Sequence, residues 1–180
     1  MLPEAYKWLE NETGPRILME YLKEYGVTEI PGPRSNPKII QFAEEIGGAV
    51  EGWYHNDDDA WCALAFSAMS KRAGYPILPG FDAMRAKEQV KWGLPVKKGC
   101  EKLGDALIFA RTGGGHVGLY VGEDEDAFHV IGGNQNNSLG FTRILKVRCI
   151  AARRCDFVGE TPNIRKLHLS AQGAISGNEA

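Results

Sequence analysis

Apolar residues recur at helical spacing through the first half of the chain. Residues 3–25 carry two short amphipathic patterns, and Thr13-Gly14-Pro15 separates them. A third pattern covers residues 38–46 and follows Asn36-Pro37, a typical helix start. Two more helical patterns are centred on residues 62–73 and 82–92. The sequence therefore predicts a helical part over residues 1–50 and a separate helix that begins near Cys62.

Strand-like patterns begin near Gly104. They predict an antiparallel sheet, because helices come first and strands follow instead of alternating with them, which favours an α+β fold. The predicted strands cover residues 106–111, 116–121 and 127–132, with one or two more within 141–152.

A single domain is expected over residues 1–158. Its helical N-terminal part covers 1–50, and the cysteine helix with the sheet covers 51–158. Residues 159–180 are small or polar with weak periodicity, so we expect a poorly ordered C-terminal tail there.

Composition narrows the possible partners. The 180 residues carry a net charge of −2, which argues against a nucleic-acid-binding protein. No apolar run is long enough to insert into a membrane, and residues 1–30 lack the apolar core of a signal peptide. We therefore expect synthesis in the cytoplasm. We also expect the protein to be a monomer. The four cysteines form no CxxC pair and no zinc-like cluster with histidine, so no metal or cofactor is expected.

Cys62 is the candidate nucleophile. With Asp59 as the N-cap, Cys62 becomes the third residue of the predicted helix. Backbone N–H groups and the helix dipole would then favour the thiolate and lower the pKa of the Cys62 thiol. The alternative is a buried cysteine on a core helix, because free cysteine is among the most buried residue types.

His116 is the candidate base. It opens the strand pattern that runs to Val121, and alternation places it on the opposite face from Val121. If Val121 pairs with Ala127, His116 lies opposite Gly132, and Asn134 is its diagonal neighbour on the same face.

Glycines at 118 and 132 leave this face bare, so a helix that carries Cys62 could dock there. His116 would take the thiol proton and later protonate the leaving amine, and the side-chain carbonyl of Asn134 would orient the imidazole. The alternatives are a surface histidine at 116 and a simple turn residue at 134.

Several short motifs follow one another in a characteristic order. They are Gly26-Val27-x-Glu29, Ser35-Asn36-Pro37-Lys38-Ile39, Trp61-Cys62-Ala63, Gly104-Asp105-Ala106-Leu107-Ile108-Phe109, Gly115-His116-Val117-Gly118 and Gly132-Gly133-Asn134-Gln135. In these motifs the chain resembles the CHAP and NlpC/P60 superfamily of papain-like peptidoglycan hydrolases, and a phage-associated subgroup in particular. The resemblance covers roughly residues 20–158.

The resemblance implies a papain-like fold with Cys62 as nucleophile, His116 as base and Asn134 as the polar third residue. Many CHAP domains carry an acidic residue two positions before this asparagine, where this chain has Gly132. The third role therefore falls to Asn134, with Gln135 as the second candidate, and His116 would lack a carboxylate partner.

Further site residues follow from the first turn and the loop before it. The backbone N–H of Cys62 is a natural donor to an oxyanion, and the resemblance favours Tyr54 as a second donor. Trp61 is a candidate for lining the substrate cleft. Some relatives bind calcium just before the cysteine, but Asp57-Asp58-Asp59 lacks the alternating spacing of such a loop, so no metal is expected.

The resemblance implies a cysteine amidohydrolase that cleaves an amide bond of bacterial cell-wall peptide through a thioester acyl-enzyme. It would be a phage endolysin or a related lytic enzyme that reaches the wall after release or delivery. Both an endopeptidase and an N-acetylmuramoyl-L-alanine amidase remain open. The alternatives are a non-catalytic wall-binding or phage-tail module and a cysteine protease or toxin that acts on proteins.

Overall fold

The structure is a computed structural model of the 180-residue chain and describes residues 1–155, 163–177 and 179. Its α-helices are Arg16–Lys23 (α1), Pro37–Ile46 (α2), Gly48–Trp53 (α3) and Cys62–Arg72 (α4). Short 3₁₀ segments cover Glu4–Asn11, Gly80–Met84, Ala86–Lys91 and Lys146–Arg148. Within these residues no helix has both the length and the apolar character that crossing a bilayer requires.

Local signals explain where these helices begin and end. The Asn36 side chain accepts a hydrogen bond from the Lys38 N–H at 2.9 Å, as expected of an N-cap. Gly47 follows α2 with a φ of 81°, a conformation that glycine adopts at little cost. The predicted helix over 82–92 is instead two 3₁₀ segments, and the short helix α3 was not predicted.

Six antiparallel strands form one sheet in the order β1-β6-β2-β3-β4-β5, so the predicted α+β class is confirmed. The strand predicted over 116–121 is longer at both ends, and the short first strand was not predicted. The strands are Leu94–Val96 (β1), Ala106–Arg111 (β2), Gly114–Glu123 (β3), Ala127–Gly132 (β4), Gly140–Leu145 (β5) and Cys149–Arg154 (β6).

The sheet is strongly curved. Three strands separate β5 from β6, so a flat sheet would hold them about 19 Å apart at the usual strand spacing of about 4.8 Å. The chain passes from Leu145 to Cys149 in four residue steps, which reach about 14 Å at most. The sheet must therefore bend to bring its two sides together.

Each face of the sheet contributes to its own apolar cluster. Val117, Leu119 and Val121 pack with the helices, and α4 is buried along most of its length. Leu107, Phe109 and Tyr120 belong to a second cluster on the other face. The helices thus cover one face while the curve of the sheet encloses the other.

The tail prediction applies to residues 159–180, of which 159–162, 178 and 180 lie outside the described residues, as do 156–158 of the predicted domain. The described part of the tail forms backbone hydrogen bonds with the sheet, whereas the sequence predicted disorder there. The Leu169 N–H donates to the Glu123 carbonyl at 2.8 Å, and the Ser176 N–H donates to the Arg143 carbonyl at 2.8 Å. Backbone pairing of this kind does not require a periodic side-chain pattern, so no sequence pattern predicted it.

A buried polar network ties the N-terminal segment to the sheet. The Tyr6 hydroxyl lies 2.7 Å from His129 Nδ1, and His129 Nε2 lies 2.9 Å from Asp124 Oδ2. Arg143 Nε donates to the same carboxylate oxygen at 2.8 Å. Because buried polar groups are expensive to leave unpaired, this network favours one position of the N-terminal segment.

Tyr6→Phe should lower the free energy of unfolding by about 1–3 kcal/mol, because it leaves His129 Nδ1 buried without its partner. Urea unfolding of both proteins measures the difference. Tyr25→Phe is the matched control, because Tyr25 also lies against Phe141 but is less buried, and it should change stability by less than about 0.5 kcal/mol. Equal losses in the two variants would contradict a specific role for the network.

Candidate active site

Cys62 is the first residue of α4 and is 4% exposed. The N-cap is Trp61, without a side-chain hydrogen bond, so the prediction that Asp59 caps the helix is wrong. The thiol interacts with the backbone N–H groups of Cys62, Ala63 and Val117. The sulfur thus touches β3 at the residue that directly follows His116.

Burial reverses the predicted direction of the thiol pKa. It raises the pKa of Cys62 above its ordinary value, although the three backbone N–H groups and Arg111 act in the opposite direction. The sequence argument counted the helix terminus but could not see how completely the sulfur is enclosed. The resting side chain is therefore a neutral thiol that needs a base before it can attack.

His116 is suited to be that base. It is 1% exposed, and burial lowers its pKa to about 4, so the imidazole is neutral near pH 7. His116 Nε2 lies 3.1 Å from Gln135 Oε1, and the Gln135 amide nitrogen donates to the carbonyls of Val130 and Gly140. These two contacts fix the orientation of the amide, so its oxygen faces the imidazole. Nε2 then carries the hydrogen, and Nδ1 is the basic nitrogen.

Asn134 does not make the predicted contact with His116. Its side-chain nitrogen donates to Glu29 Oε1 at 2.6 Å, and its φ of 55° lies in the left-handed region. Gln135, the second candidate from sequence, takes the orienting position instead. The turn after β4 reverses the backbone at Asn134, so simple strand alternation fails there.

The predicted register is also wrong. Leu119 pairs with Ile131, which is two residues out of step with a Val121–Ala127 pair, because Glu123 already pairs with Phe128 at the hairpin and the register then shifts by one residue between Tyr120 and Gly122. In the part of β3 that carries His116, a shift of two keeps the side chains on their predicted face. Gly132 therefore still lies beside the imidazole, where a Cβ would come within 3.2 Å of His116 Nε2.

The helix does not dock on the face that carries His116. Cys62 clusters with Val117 and Leu119, whose side chains point away from that of His116. The first turn of α4 meets the chain just after β4, where a Cβ on Gly133 would be 2.7 Å from the Trp61 ring and 2.8 Å from the Ala65 Cβ. Cys62 therefore lies beside the backbone of β3 at the residue next to His116, with the two side chains on opposite faces of the strand.

Glu29 links the two halves of the site. Trp61 Nε1 donates to Glu29 Oε1 at 2.7 Å, and the same oxygen accepts from Asn134. Glu29 therefore fixes the residue before Cys62 relative to the residue before Gln135. Trp61 is fully buried, so it positions the start of the helix. The prediction that it lines a substrate cleft is wrong.

Tyr54 does not have the predicted role, and Tyr21 is a candidate that the sequence did not indicate. The Tyr54 hydroxyl donates to the Asp59 carbonyl at 3.0 Å, so it orders the loop before α4. The Tyr21 hydroxyl is buried and has no hydrogen-bond partner in the described part of the chain. Burial raises the pKa of Tyr21 well above its usual value, and nearby Cys62 raises it further. Tyr21 belongs to α1 and lies far from Cys62 in sequence, so no local motif marks it.

The acidic loop before α4, Asp57-Asp58-Asp59, has a structural role through Asp57. Asp57 Oδ2 accepts hydrogen bonds from the N–H groups of Ile30 at 3.0 Å and Asn36 at 2.7 Å. Among the residues that the structure describes, no group of three or more His, Cys, Asp or Glu side chains is arranged to hold a metal ion.

A scan against protein-family models found no match to this chain, and a search among curated proteins found no relative.

Gln135→Ala should slow alkylation of Cys62 by iodoacetamide at pH 7 by about three- to tenfold, because the imidazole loses the contact that fixes its tautomer. Mass spectrometry of the Cys62 peptide follows the rate. Asn134→Ala is the matched control and should have a smaller effect, because Asn134 contacts Glu29 instead. A larger effect at Asn134 than at Gln135 would restore the role that the sequence predicted.

Proposed function

We propose that the chain is a cysteine amidohydrolase that cleaves an amide bond of bacterial cell-wall peptide and has a papain-like arrangement of helix and sheet. The observation that carries the proposal is the neutral His116 oriented by Gln135 at the end of β3, where the Cys62 sulfur contacts the next residue. The motifs that resemble CHAP and NlpC/P60 hydrolases supply the choice of substrate.

In the proposed reaction, His116 Nδ1 takes the proton from the Cys62 thiol as the sulfur attacks the amide carbonyl. The carbonyl oxygen becomes negatively charged, and the Cys62 N–H at the start of α4 can donate to it. His116 then gives the proton to the leaving amine while the C–N bond breaks. A thioester remains, and water activated by His116 hydrolyses it to a carboxylic acid and the free thiol.

The neutral state of both groups fits this order of events. A raised thiol pKa and a lowered imidazole pKa favour a thiol–imidazole pair over a permanent ion pair at rest. Proton transfer would then accompany attack on the substrate. A buried thiol of this kind is also protected from unspecific oxidation, which depends on thiolate character and exposure.

Purified sacculi incubated with the wild type should lose turbidity and release new muropeptide termini, whereas Cys62→Ala should be inactive because the nucleophile is missing. Cys100→Ala is the matched control: Cys100 is exposed and should be dispensable. Mass spectrometry of the released fragments distinguishes an endopeptidase from an N-acetylmuramoyl-L-alanine amidase.

Three other outcomes would overturn the proposal. Equal clearing by wild type and Cys62→Ala would place the chemistry elsewhere. Binding to sacculi without release of fragments, with walls of several chemotypes and under reducing conditions, would favour a wall-binding module. Cleavage of a protein substrate with none of sacculi would favour a protease.

Tyr21→Phe should lower kcat on sacculi by about 10- to 100-fold with little change in KM, because we propose that the unpaired Tyr21 hydroxyl donates to the oxyanion beside Cys62. Tyr54→Phe is the comparison, because the Tyr54 hydroxyl already donates to the Asp59 carbonyl. Thermal unfolding checks that both variants fold. Unchanged kcat in Tyr21→Phe would show that its hydroxyl plays no part in the chemistry.

A further inference from the structure

The end of the β2–β3 hairpin places two guanidinium groups near His116. Arg111 Nε donates to the Gly115 carbonyl at 3.4 Å, and Arg148 Nε donates to the Ala110 carbonyl at 3.2 Å. Ala110 and Gly115 face each other in the ladder, directly beside the pair that includes His116. Both arginines lower the pKa of His116, although each has a smaller effect than burial.

Two positive charges close to His116 are unfavourable for a general base. When His116 takes the proton of Cys62, an imidazolium forms beside two positive charges inside the protein. Like charges within a few ångströms repel more strongly at low dielectric than in water. An arrangement with only the two arginines would therefore oppose the first step of the proposed reaction.

Glu179 supplies a negative charge at this place. Its side chain is fully buried, and its two oxygens accept from Arg148 Nη1 and Nη2, each at 2.7 Å. Arg148 Nη1 also donates to the Ser176 carbonyl at 3.0 Å, and the Ser176 N–H bonds to Arg143 on β5. Ser176 and Glu179 thus both bind Arg148, and the Glu179 carboxylate lies near the start of β3.

Glu179 and His116 affect each other. Burial lowers the pKa of His116, and the Glu179 carboxylate opposes it more than any other charged group. Burial alone would raise the pKa of Glu179, but Arg148 and His116 hold it below its usual range. Glu179 is therefore ionised near pH 7, within electrostatic reach of the imidazole.

We propose that Glu179 is a positioning residue of the active site, whose carboxylate offsets the charges of Arg111 and Arg148 so that His116 can hold the proton it takes from Cys62. The role rests on the proposed cysteine chemistry. It also places a carboxylate within electrostatic reach of His116, whereas the position at which many CHAP domains carry an acidic residue is Gly132 in this chain. Glu179 is far from His116 in the sequence and belongs to the C-terminal segment.

The test is alkylation of Cys62 by iodoacetamide between pH 5 and 9, which needs no substrate. Glu179→Gln should slow the reaction at pH 7 by about tenfold, on the order of one pKa unit of His116. Glu125→Gln, an exposed acidic residue in the β3–β4 loop, is the matched control and should leave the rate unchanged. On sacculi, Glu179→Gln should lower kcat with little change in KM.

The double variant Glu179→Gln/Arg148→Gln separates charge from tethering. If Glu179 acts by its charge, loss of one guanidinium should recover part of the rate, whereas a tether would stay broken and the rate would stay low. Glu179→Asp keeps the negative charge and should retain more of the wild-type alkylation rate than Glu179→Gln, so it tests the same charge if the glutamine variant folds poorly.

Unchanged alkylation in Glu179→Gln, or a double variant as slow as the single one, would overturn the proposal. Faster alkylation in Glu179→Gln would also overturn it and would show that the C-terminal segment blocks the site. The proposed hydrolase function fails separately: sacculi would stay intact while the charge effects on Cys62 alkylation remain.

Discussion

The site depends on how closely the first turn of α4 approaches the connection after β4. Gly133 permits this contact, because any Cβ there would collide with the Trp61 ring and with Ala65. The contact fixes where Cys62 lies relative to the backbone of β3 and brings the residues after β4 beside the helix start. A side chain at 133 would separate the two elements and so separate the thiol from the strand that carries His116.

Glu29 reinforces this contact with charge. One carboxylate oxygen accepts hydrogen bonds from Trp61 and Asn134, so a residue of the N-terminal half connects the neighbours of Cys62 and Gln135. Charge-assisted hydrogen bonds of this kind are stronger than neutral ones and hold their partners in a defined geometry. Glu29 and Asn134 thus have a common physical role: they hold the residues on either side of Cys62 and Gln135 in place.

Burial dominates the electrostatics of the site. It raises the pKa of the Cys62 thiol and lowers that of the His116 imidazole, so both favour their neutral forms. Small arrangements of charge then decide how readily a proton moves between them. Such a site combines a protected resting thiol with a base whose strength is set by Gln135, the two arginines and Glu179 together.

The sequence determined that helices come before the strands, that a helix begins near Cys62 and which side chains of β3 share the face of His116, because hydrophobic periodicity acts locally. It also identified His116, because side chains alternate between the two faces along a strand. The tertiary structure alone decided that Gln135 replaces Asn134, that Tyr21 lies beside the thiol and that Glu179 lies near the imidazole. A left-handed turn, a register shift and contacts between residues far apart in the chain produce these positions. They arise from how the curved sheet closes and packs, and no local pattern encodes that closure.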